Sequence, residues 1–138
     1  MLNERTALVT GPLSKENIIS IDKSFTGHTE FIKKVTKSKD VLMMLASDQL
    51  RVALSTTHIP LKNVSKKITK ELIINKVKIL NEDLQNKFGI HKPSIKVLGL
   101  NPHAGENGKI GREEQDHIKP AIRAVSYTHL RAHETDSY

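Results

Sequence analysis

The segment Leu98–Glu114 constrains the fold more than any other part of the sequence. A strand-like run over Ser94–Leu100 enters it and stops at Asn101-Pro102, because proline cannot continue a ladder of strand hydrogen bonds. His103 follows, then three glycines, and then a charged helix start at Arg112. A histidine on a glycine-rich loop between a strand end and a helix is typical of ligand sites in open α/β sheets. The segment therefore predicts an α/β fold with a ligand or metal site at His103.

The rest of the chain alternates short apolar runs with helical patterns. Apolar residues recur every three or four positions from Ile68 to Phe88, with Thr69 as a cap and Gly89 after the end, which predicts an amphipathic helix. The continuous apolar run Val41–Ala46 predicts a strand covered on both faces. Strands are predicted over Thr6–Thr10, Asp40–Ala46, Leu50–Thr56 and Ser94–Leu100, and shorter helices over Ser14–Ile19, Phe31–Val35 and Glu113–Arg123. This alternation predicts a largely parallel sheet.

Composition indicates one domain, or a piece of one, with a modest core. The 138 residues are 37% hydrophobic and include no Cys, which excludes thiolate chemistry and fits a reducing compartment such as the cytoplasm. The longest apolar run is too short to span a bilayer, so we expect no membrane partner. A net charge of +7 would suit nucleic acid. The lysines are scattered, however, without aromatic residues to stack bases, so we expect a solvated surface and no nucleic-acid partner.

Four segments together resemble the 4-hydroxythreonine-4-phosphate dehydrogenase family of vitamin B6 biosynthesis. They are Thr10–Lys15 (TGPLSK), Phe25–Phe31 (FTGHTEF), Leu50–Leu61 (LRVALSTTHIPL) and Asn101–Glu114 (NPHAGENGKIGREE). Their order and the spacing of their histidines match the family pattern. Asn107 stands where glycine is common in the family, but asparagine also tolerates a positive φ. The glycine spacing does not fit a Rossmann dinucleotide fingerprint.

The resemblance implies a fold and a function. The fold would be like that of isocitrate and isopropylmalate dehydrogenases, a partial α/β/α sandwich with a mostly parallel sheet, truncated at both ends because family chains are more than twice as long. The function would be NAD-dependent, divalent-metal-assisted oxidation of 4-phosphooxy-L-threonine in pyridoxal 5'-phosphate biosynthesis, by a homodimer with its active site at the interface. Three alternatives stay open: a sister enzyme for erythronate or threonate 4-phosphate, a basic nucleic-acid-binding module, and an inactive truncated product.

The resemblance also assigns roles to four residues. His58 and His103 match the family's ligands for a divalent metal (Zn, Mg or Co), and His28 and Thr29 match its substrate-binding pair. Without the resemblance, His58 fits a structural histidine better than a ligand, and Thr29 fits a helix cap as well as a substrate contact. A third metal histidine is implied in the missing C-terminal part, because two imidazoles leave the metal shell incomplete. We therefore expect this chain alone to bind metal weakly and to be inactive.

The end of the sequence departs from the family pattern. Residues 1–124 are expected to be the central piece of the dehydrogenase, and residues 125–138 a non-native tail, since they resemble translated sequencing-adapter read-through. His129 and His133 have the spacing of a zinc pair on a helix. No third ligand lies nearby in the sequence, so we expect no zinc site there.

Overall fold

A computed structural model of the chain describes residues 8–12, 14–21, 23, 25 and 27–127, and the backbone of residues 131–134. The chain divides into two compact units, Met1–Val41 and Leu42–Tyr138. The first unit contains helices α1 (Lys15–Ile21) and α2 (His28–Thr36). The second contains strands β1 (Met44–Ala46), β2 (Arg51–Ala53), β3 (Ser94–Val97) and β4 (Arg131–Glu134), and helices α3 (Val64–Lys67), α4 (Lys70–Asn86) and α5 (Lys119–Ser126). The mixture of helices and small sheets agrees with the predicted α/β class.

Local signals in the first unit predict its helices better than its strand. Helix α1 begins after a serine cap, as expected, because the backbone N–H of Asn17 donates to Ser14 Oγ at 3.4 Å. The strand predicted over Thr6–Thr10 is absent from its described part: Leu8 and Val9 are 68% and 91% exposed and form no strand. Thr6 and Ala7 lie outside the described residues. Two apolar residues do not make a strand without a neighbour to pair with.

Strands β1 and β2 form an antiparallel hairpin, in which Leu45 pairs with Val52. This differs from the predicted parallel arrangement, and the reason is the connection between the strands. Four residues cannot make the crossover of a dozen or more residues that parallel neighbours need. The expected burial on both faces is also wrong, because Leu45 is 63% exposed.

Helix α4 forms the centre of the core and follows the prediction closely. It begins at Lys70, where Thr69 Oγ1 accepts a hydrogen bond from the Leu72 backbone N–H at 3.2 Å. It ends just before Gly89, whose φ of 68° is accessible to glycine at no steric cost. The buried apolar residues of the core come from α4, β3, α5 and the turns beside them: Ile68, Ile73, Val77, Leu84, Ile95, Ile118, Ala121, Ile122 and Val125.

A proline shapes the last helical segment. Residues Glu114–Ile118 form a π-helical turn that leads directly into α5, and Pro120 stands in the first turn of α5. Proline has no N–H to donate to the preceding turn, and such interruptions are relieved by wider π-type turns. The sequence predicted one helix over Glu113–Arg123; the structure has two helical forms over nearly the same residues.

Strand β3 pairs in parallel with β4, Ser94 lying opposite Arg131. The described strands thus form two separate two-stranded sheets and not the single mostly parallel sheet that was predicted. An apolar cavity of about 680 Å³ lies between the β1–β2 hairpin, α4 and β3, lined by residues of all three. β4 belongs to the predicted non-native tail, whose origin stays a prediction. His133 lies in this strand, not on a helix, and His129 lies outside the described residues.

Among the helices of the described part of the chain, none has the length and apolar character needed to cross a bilayer.

Truncating the core should unfold the second unit more easily. Ile73 is 4% exposed, so Ile73→Ala should lower the free energy of unfolding by about 2–4 kcal/mol through lost apolar contact and a residual cavity. Leu61, which is 87% exposed, provides the control: Leu61→Ala should change it by less than about 0.5 kcal/mol. Urea unfolding followed by circular dichroism measures both, and equal effects would contradict the core described above.

Candidate functional site

The predicted metal residue His103 lies in a left-handed turn that follows β3. From His103 to Gly108 every residue has a positive φ, between 44° and 91°. Side chains with a Cβ resist this backbone, at a cost of roughly 1–2 kcal/mol per residue. The run includes four residues other than glycine: His103, Ala104, Glu106 and Asn107. Asn107 thus takes the positive φ that the sequence predicted it would tolerate, and the strain marks this turn as a functional candidate.

The second predicted metal residue shares this backbone conformation. His58 has a φ of 55° and lies in the loop after β2, just before Pro60. Its side chain and that of His103 are both exposed. Left-handed residues other than glycine are uncommon. Both of the histidines that the resemblance assigns to the metal therefore have a left-handed backbone, which Lys37, at the end of α2, also adopts.

A buried carboxylate holds the start of the His103 turn. Glu114 is 0% exposed, and its Oε1 accepts hydrogen bonds from the backbone N–H groups of Leu100 at 2.8 Å and Asn101 at 2.7 Å. Its Oε2 accepts a third from Asn101 Nδ2 at 2.9 Å. Since Leu100 and Asn101 lead directly into the turn, Glu114 fixes the direction in which the chain leaves β3. In the sequence, Glu114 is recognisable only as part of a charged helix start, and this contact was not predicted.

The neighbouring Glu113 connects the same turn to the segment after His58. Its Oε2 accepts a hydrogen bond from Asn101 Nδ2 at 2.8 Å. Its Oε1 accepts a short hydrogen bond from Ser65 Oγ, in α3. Asn101 therefore donates to both glutamates, and Glu113 lies between the two histidine-bearing segments.

Hydrogen bonding keeps both glutamates ionised. The hydrogen bonds from Ser65 and Asn101 lower the pKa of Glu113 to about 2. Burial acts to raise the pKa of Glu114, but the hydrogen bonds from the Asn101 side chain and the backbone outweigh it, so the pKa lies below its ordinary value. The helix start thus carries two negative charges, which also suit the positive end of a helix.

Two glycines are required because of close packing against these acids. A Cβ on Gly105 would lie 2.6 Å from the Gly111 carbonyl oxygen and 2.9 Å from Glu114 Oε2. A Cβ on Gly111 would lie 2.6 Å from Asn101 Cγ and 2.7 Å from Glu113 Oε2. The glycine-rich loop therefore packs closely against the two glutamates. Glycine is required there because a side chain would not fit, as well as because of the backbone conformation.

The predicted substrate residues lie in the first unit, at the beginning of α2. His28 is the first residue of the helix, and its ring makes an edge contact with Phe25 at a centroid distance of 6.3 Å. Thr29 follows it, and both side chains are half-buried. The N-cap position belongs to Gly27, and no side chain caps the helix there. The capping alternative for Thr29 is therefore wrong, whereas its role in substrate binding stays a prediction.

Other groups near the histidines add no further ligand. Glu106 and Lys109 are exposed, and nothing in the structure assigns them a role. Within the part of the chain that the structure describes, there is no group of three or more His, Cys, Asp or Glu residues that could hold a metal ion. The predicted donor set from this chain is thus the pair His58 and His103.

Adding a methyl group at Gly111 should disturb the contact between Asn101 and the glutamates. The Gly111→Ala substitution should lower the free energy of unfolding by about 1–3 kcal/mol, because the side chains must move apart. At Gly99 the nearest atoms to a Cβ are 3.5 Å away, so Gly99→Ala is the matched control with a smaller effect. Urea unfolding compares the two, and a Gly111→Ala variant as stable as the control would contradict the packing.

Acid should remove the contribution of Glu113 in a defined pH range. Its pKa is about 2 in the folded chain against an ordinary value of 4.5, so the folded state binds the proton more weakly than the unfolded state. The stabilisation is complete above pH 4.5 and is lost as the pH falls towards 2. Unfolding free energies measured across this range should fall more steeply for the wild-type chain than for Glu113→Gln. Parallel curves would show that Glu113 does not make these bonds.

Comparison with known proteins shows which family the chain resembles. Residues 1–135 match the family model described as "Pyridoxal phosphate biosynthetic protein PdxA". Two curated proteins named 4-hydroxythreonine-4-phosphate dehydrogenase are 50% identical over 119 residues (Sulfurihydrogenibium sp.) and 54% identical over 120 residues (Pseudoalteromonas translucida). The alignments cover 86% and 87% of this chain but 37% and 36% of those proteins. This chain therefore spans little more than a third of the length of these relatives.

Solved structures give the same result. A crystal structure of 4-hydroxythreonine-4-phosphate dehydrogenase from Klebsiella pneumoniae has a TM-score of 0.82 and 32% identity, covering 89% of this chain and 37% of that one. A structure of the enzyme of the same name from Burkholderia phymatum has a TM-score of 0.77 and 39% identity, covering 88% and 37%. The resemblance of the four motifs is thus confirmed over most of the sequence. The chain belongs to the PdxA family of pyridoxal phosphate biosynthetic proteins.

Proposed function

We propose that this chain is the central part of an NAD-dependent dehydrogenase that oxidises 4-phosphooxy-L-threonine with the help of a divalent metal. The product is 2-amino-3-oxo-4-phosphooxybutanoate, which loses CO₂ to give 3-amino-2-oxopropyl phosphate for pyridoxal 5'-phosphate synthesis. Family membership and the names of the relatives support this reaction. The observation that carries it for this chain is the shared left-handed backbone of His58 and His103, on loops connected through Ser65, Glu113 and Asn101.

The chemistry of the donor pair fits a divalent metal. Both imidazoles are exposed and belong to different loops, so each has a ring nitrogen that an ion can reach. Imidazole suits Zn²⁺ or Co²⁺ better than Mg²⁺, which prefers oxygen ligands. Two protein ligands leave positions for a third histidine and for substrate oxygen. His58 and His103 would hold the ion, which would supply Lewis-acid chemistry at the substrate hydroxyl.

The residues of this chain bind and orient the substrate. His28 and Thr29 offer an imidazole and a hydroxyl at the N-terminal end of α2, where the helix dipole also favours an anionic group. The backbone of the left-handed turn and the buried Glu114 hold His103 in a fixed direction, so little reorganisation is needed when the site fills. A bound nicotinamide would supply the hydride chemistry.

The rest of the protein would complete the site. We propose an isocitrate-dehydrogenase-like α/β/α sandwich for the full-length protein, a homodimer with the active site at the interface, and a cytoplasmic location without nucleic-acid or membrane partners. We also propose that residues 125–138 are a non-native tail. Because this chain covers 37% of its relatives' length, the 138 residues alone should lack dehydrogenase activity.

Removing either histidine should weaken metal binding. In the ¹⁵N-labelled chain titrated with Co²⁺, the ring signals of His58 and His103 should respond at the same metal concentration, because they share one ion. The substitutions His58→Ala and His103→Ala should each weaken binding about tenfold or more, since chelation by two groups on one chain raises their effective concentration. His91, which is exposed in the loop before β3, provides the control: His91→Ala should leave the affinity unchanged.

Enzyme activity provides a second measurement. It is made on a longer parent protein that contains this chain together with its flanking sequence. NADH formation from 4-phosphooxy-L-threonine should appear in that parent and fall at least a hundredfold in its His103→Ala variant. Independent responses of the two rings to Co²⁺, together with full activity of the variant, would rule out the proposed role of the pair.

A further inference from the structure

Two hydrogen bonds link the segments that carry the metal histidines. The hydroxyl of Ser65 and the side-chain amide of Asn101 both donate to the carboxylate of Glu113, one to each oxygen. Ser65 follows His58 in the chain, and Asn101 precedes His103. Glu113 is therefore a bridge between α3, which follows the His58 loop, and Asn101, which begins the His103 loop.

The chain between His58 and Ser65 is stiff enough to transmit this constraint. Pro60 fixes its own φ, and its carbonyl accepts a hydrogen bond from the Asn63 N–H at 2.8 Å, which closes the 3₁₀ turn Leu61–Asn63. Helix α3 begins at the next residue, Val64, which packs against the core. Anchoring Ser65 thus limits the positions that His58 can take.

The other end of the bridge is held equally firmly. Asn101 Nδ2 donates to Glu114 Oε2 at 2.9 Å as well as to Glu113, and the Asn101 N–H donates to Glu114 Oε1 at 2.7 Å. Glu114 is fully buried. Asn101 therefore has little freedom, and His103 is separated from it by a single residue, Pro102, whose φ is restricted.

We propose that Glu113 is a positioning residue that sets the separation of the His58 and His103 loops, so that both rings address one divalent cation. The inference rests on the proposed metal site and adds a residue that touches neither metal nor substrate. A carboxylate suits this position because it accepts on both oxygens, whereas Ser65 and the Asn101 amide nitrogen both donate here. Loss of either bond frees one loop from the other without removing a ligand.

The test uses Co²⁺ alone as the probe and the 138-residue chain as the protein. Ser65→Ala, which removes the donor, should weaken Co²⁺ binding about tenfold, within the range found for residues that orient metal ligands. The two histidine ring signals should also begin to respond at different Co²⁺ concentrations. Ser65→Thr keeps the hydroxyl and should retain the wild-type affinity within about twofold. A merely structural role of Ser65 would not separate the two ring signals.

Glu113→Ala gives a second, independent test, with Asp116→Ala as its matched control. Asp116 is an exposed carboxylate of the same helical segment that binds Arg112 and not Ser65 or Asn101. Glu113→Ala should weaken Co²⁺ binding to the same extent as Ser65→Ala, and the double variant should be no weaker than Glu113→Ala, because both changes break one link. Asp116→Ala should bind as the wild-type chain does.

The Co²⁺ titrations distinguish failure of the positioning role of Glu113 from failure of the proposed metal site. If both rings respond together in the wild-type chain but Ser65→Ala and Glu113→Ala bind Co²⁺ as tightly as Asp116→Ala, the positioning role is overturned and the metal site stands. If the rings respond separately in the wild-type chain, the metal site fails and the positioning role fails with it. Additive losses of Co²⁺ affinity in the double variant would also overturn the proposal, because Ser65 and Glu113 would then act separately.

Discussion

The buried carboxylate of Glu114 is the interaction on which the candidate site depends. Placing an ionised carboxylate out of water costs several kcal/mol unless its oxygens are satisfied. Here three hydrogen bonds satisfy them, two from backbone N–H groups and one from Asn101. Hydrogen bonds to a charged group contribute about 1.5–3 kcal/mol each. The left-handed turn after Asn101 is strained, and this cluster is positioned to offset that strain.

The same cluster explains the composition of the loop. Gly105 and Gly111 are needed where the chain passes against Glu114 and Asn101, and a Cβ at either position would collide with them. The left-handed conformation, in contrast, is taken largely by residues that resist it, among them His103 and Ala104. The glycines therefore allow close packing, and the packing in turn imposes the backbone on their neighbours. Backbone freedom of the glycines alone correctly predicts where the site lies. It does not explain why glycine is required there, because close packing is also needed.

The sequence predicts those parts of the structure that local chemistry decides. Helix α4 has its cap at Thr69 and its end before Gly89 because both signals act within a few residues. The antiparallel β1–β2 pair was predictable in principle, since the connecting turn is too short for a crossover, but the parallel sheet was predicted from the alternation of strands and helices alone. The π-helical turn before α5 depends on how Pro120 is relieved, which the sequence does not specify.

In the candidate site, too, only the features that local sequence decides were predictable. The position of His103 follows from the strand, the Asn-Pro stop and the glycines, whereas the metal role predicted for His58 rests only on the family resemblance. The hydrogen bonds among Ser65, Asn101, Glu113 and Glu114 were not predicted, because a polar residue signals burial only through partners that lie far away in sequence. Tertiary contacts, and not local propensity, decide which of the Asp and Glu side chains in this chain help to hold the fold together.

Glu114 is buried and also contacts the strained turn that carries His103. Since Glu114 supports both the fold and the direction of His103, loss of activity on its substitution cannot separate the two contributions. The contact between Ser65 and Glu113 also stabilises the fold, but it joins α3 to the start of the last helical segment near the surface, and none of the buried core residues takes part in it. A residue that couples the two segments predicted to carry metal ligands would change how the two histidines bind one ion, which the free energy of unfolding alone does not report. The joint response of the two histidine rings to a metal is therefore the measurement that separates a functional role of this contact from its role in folding.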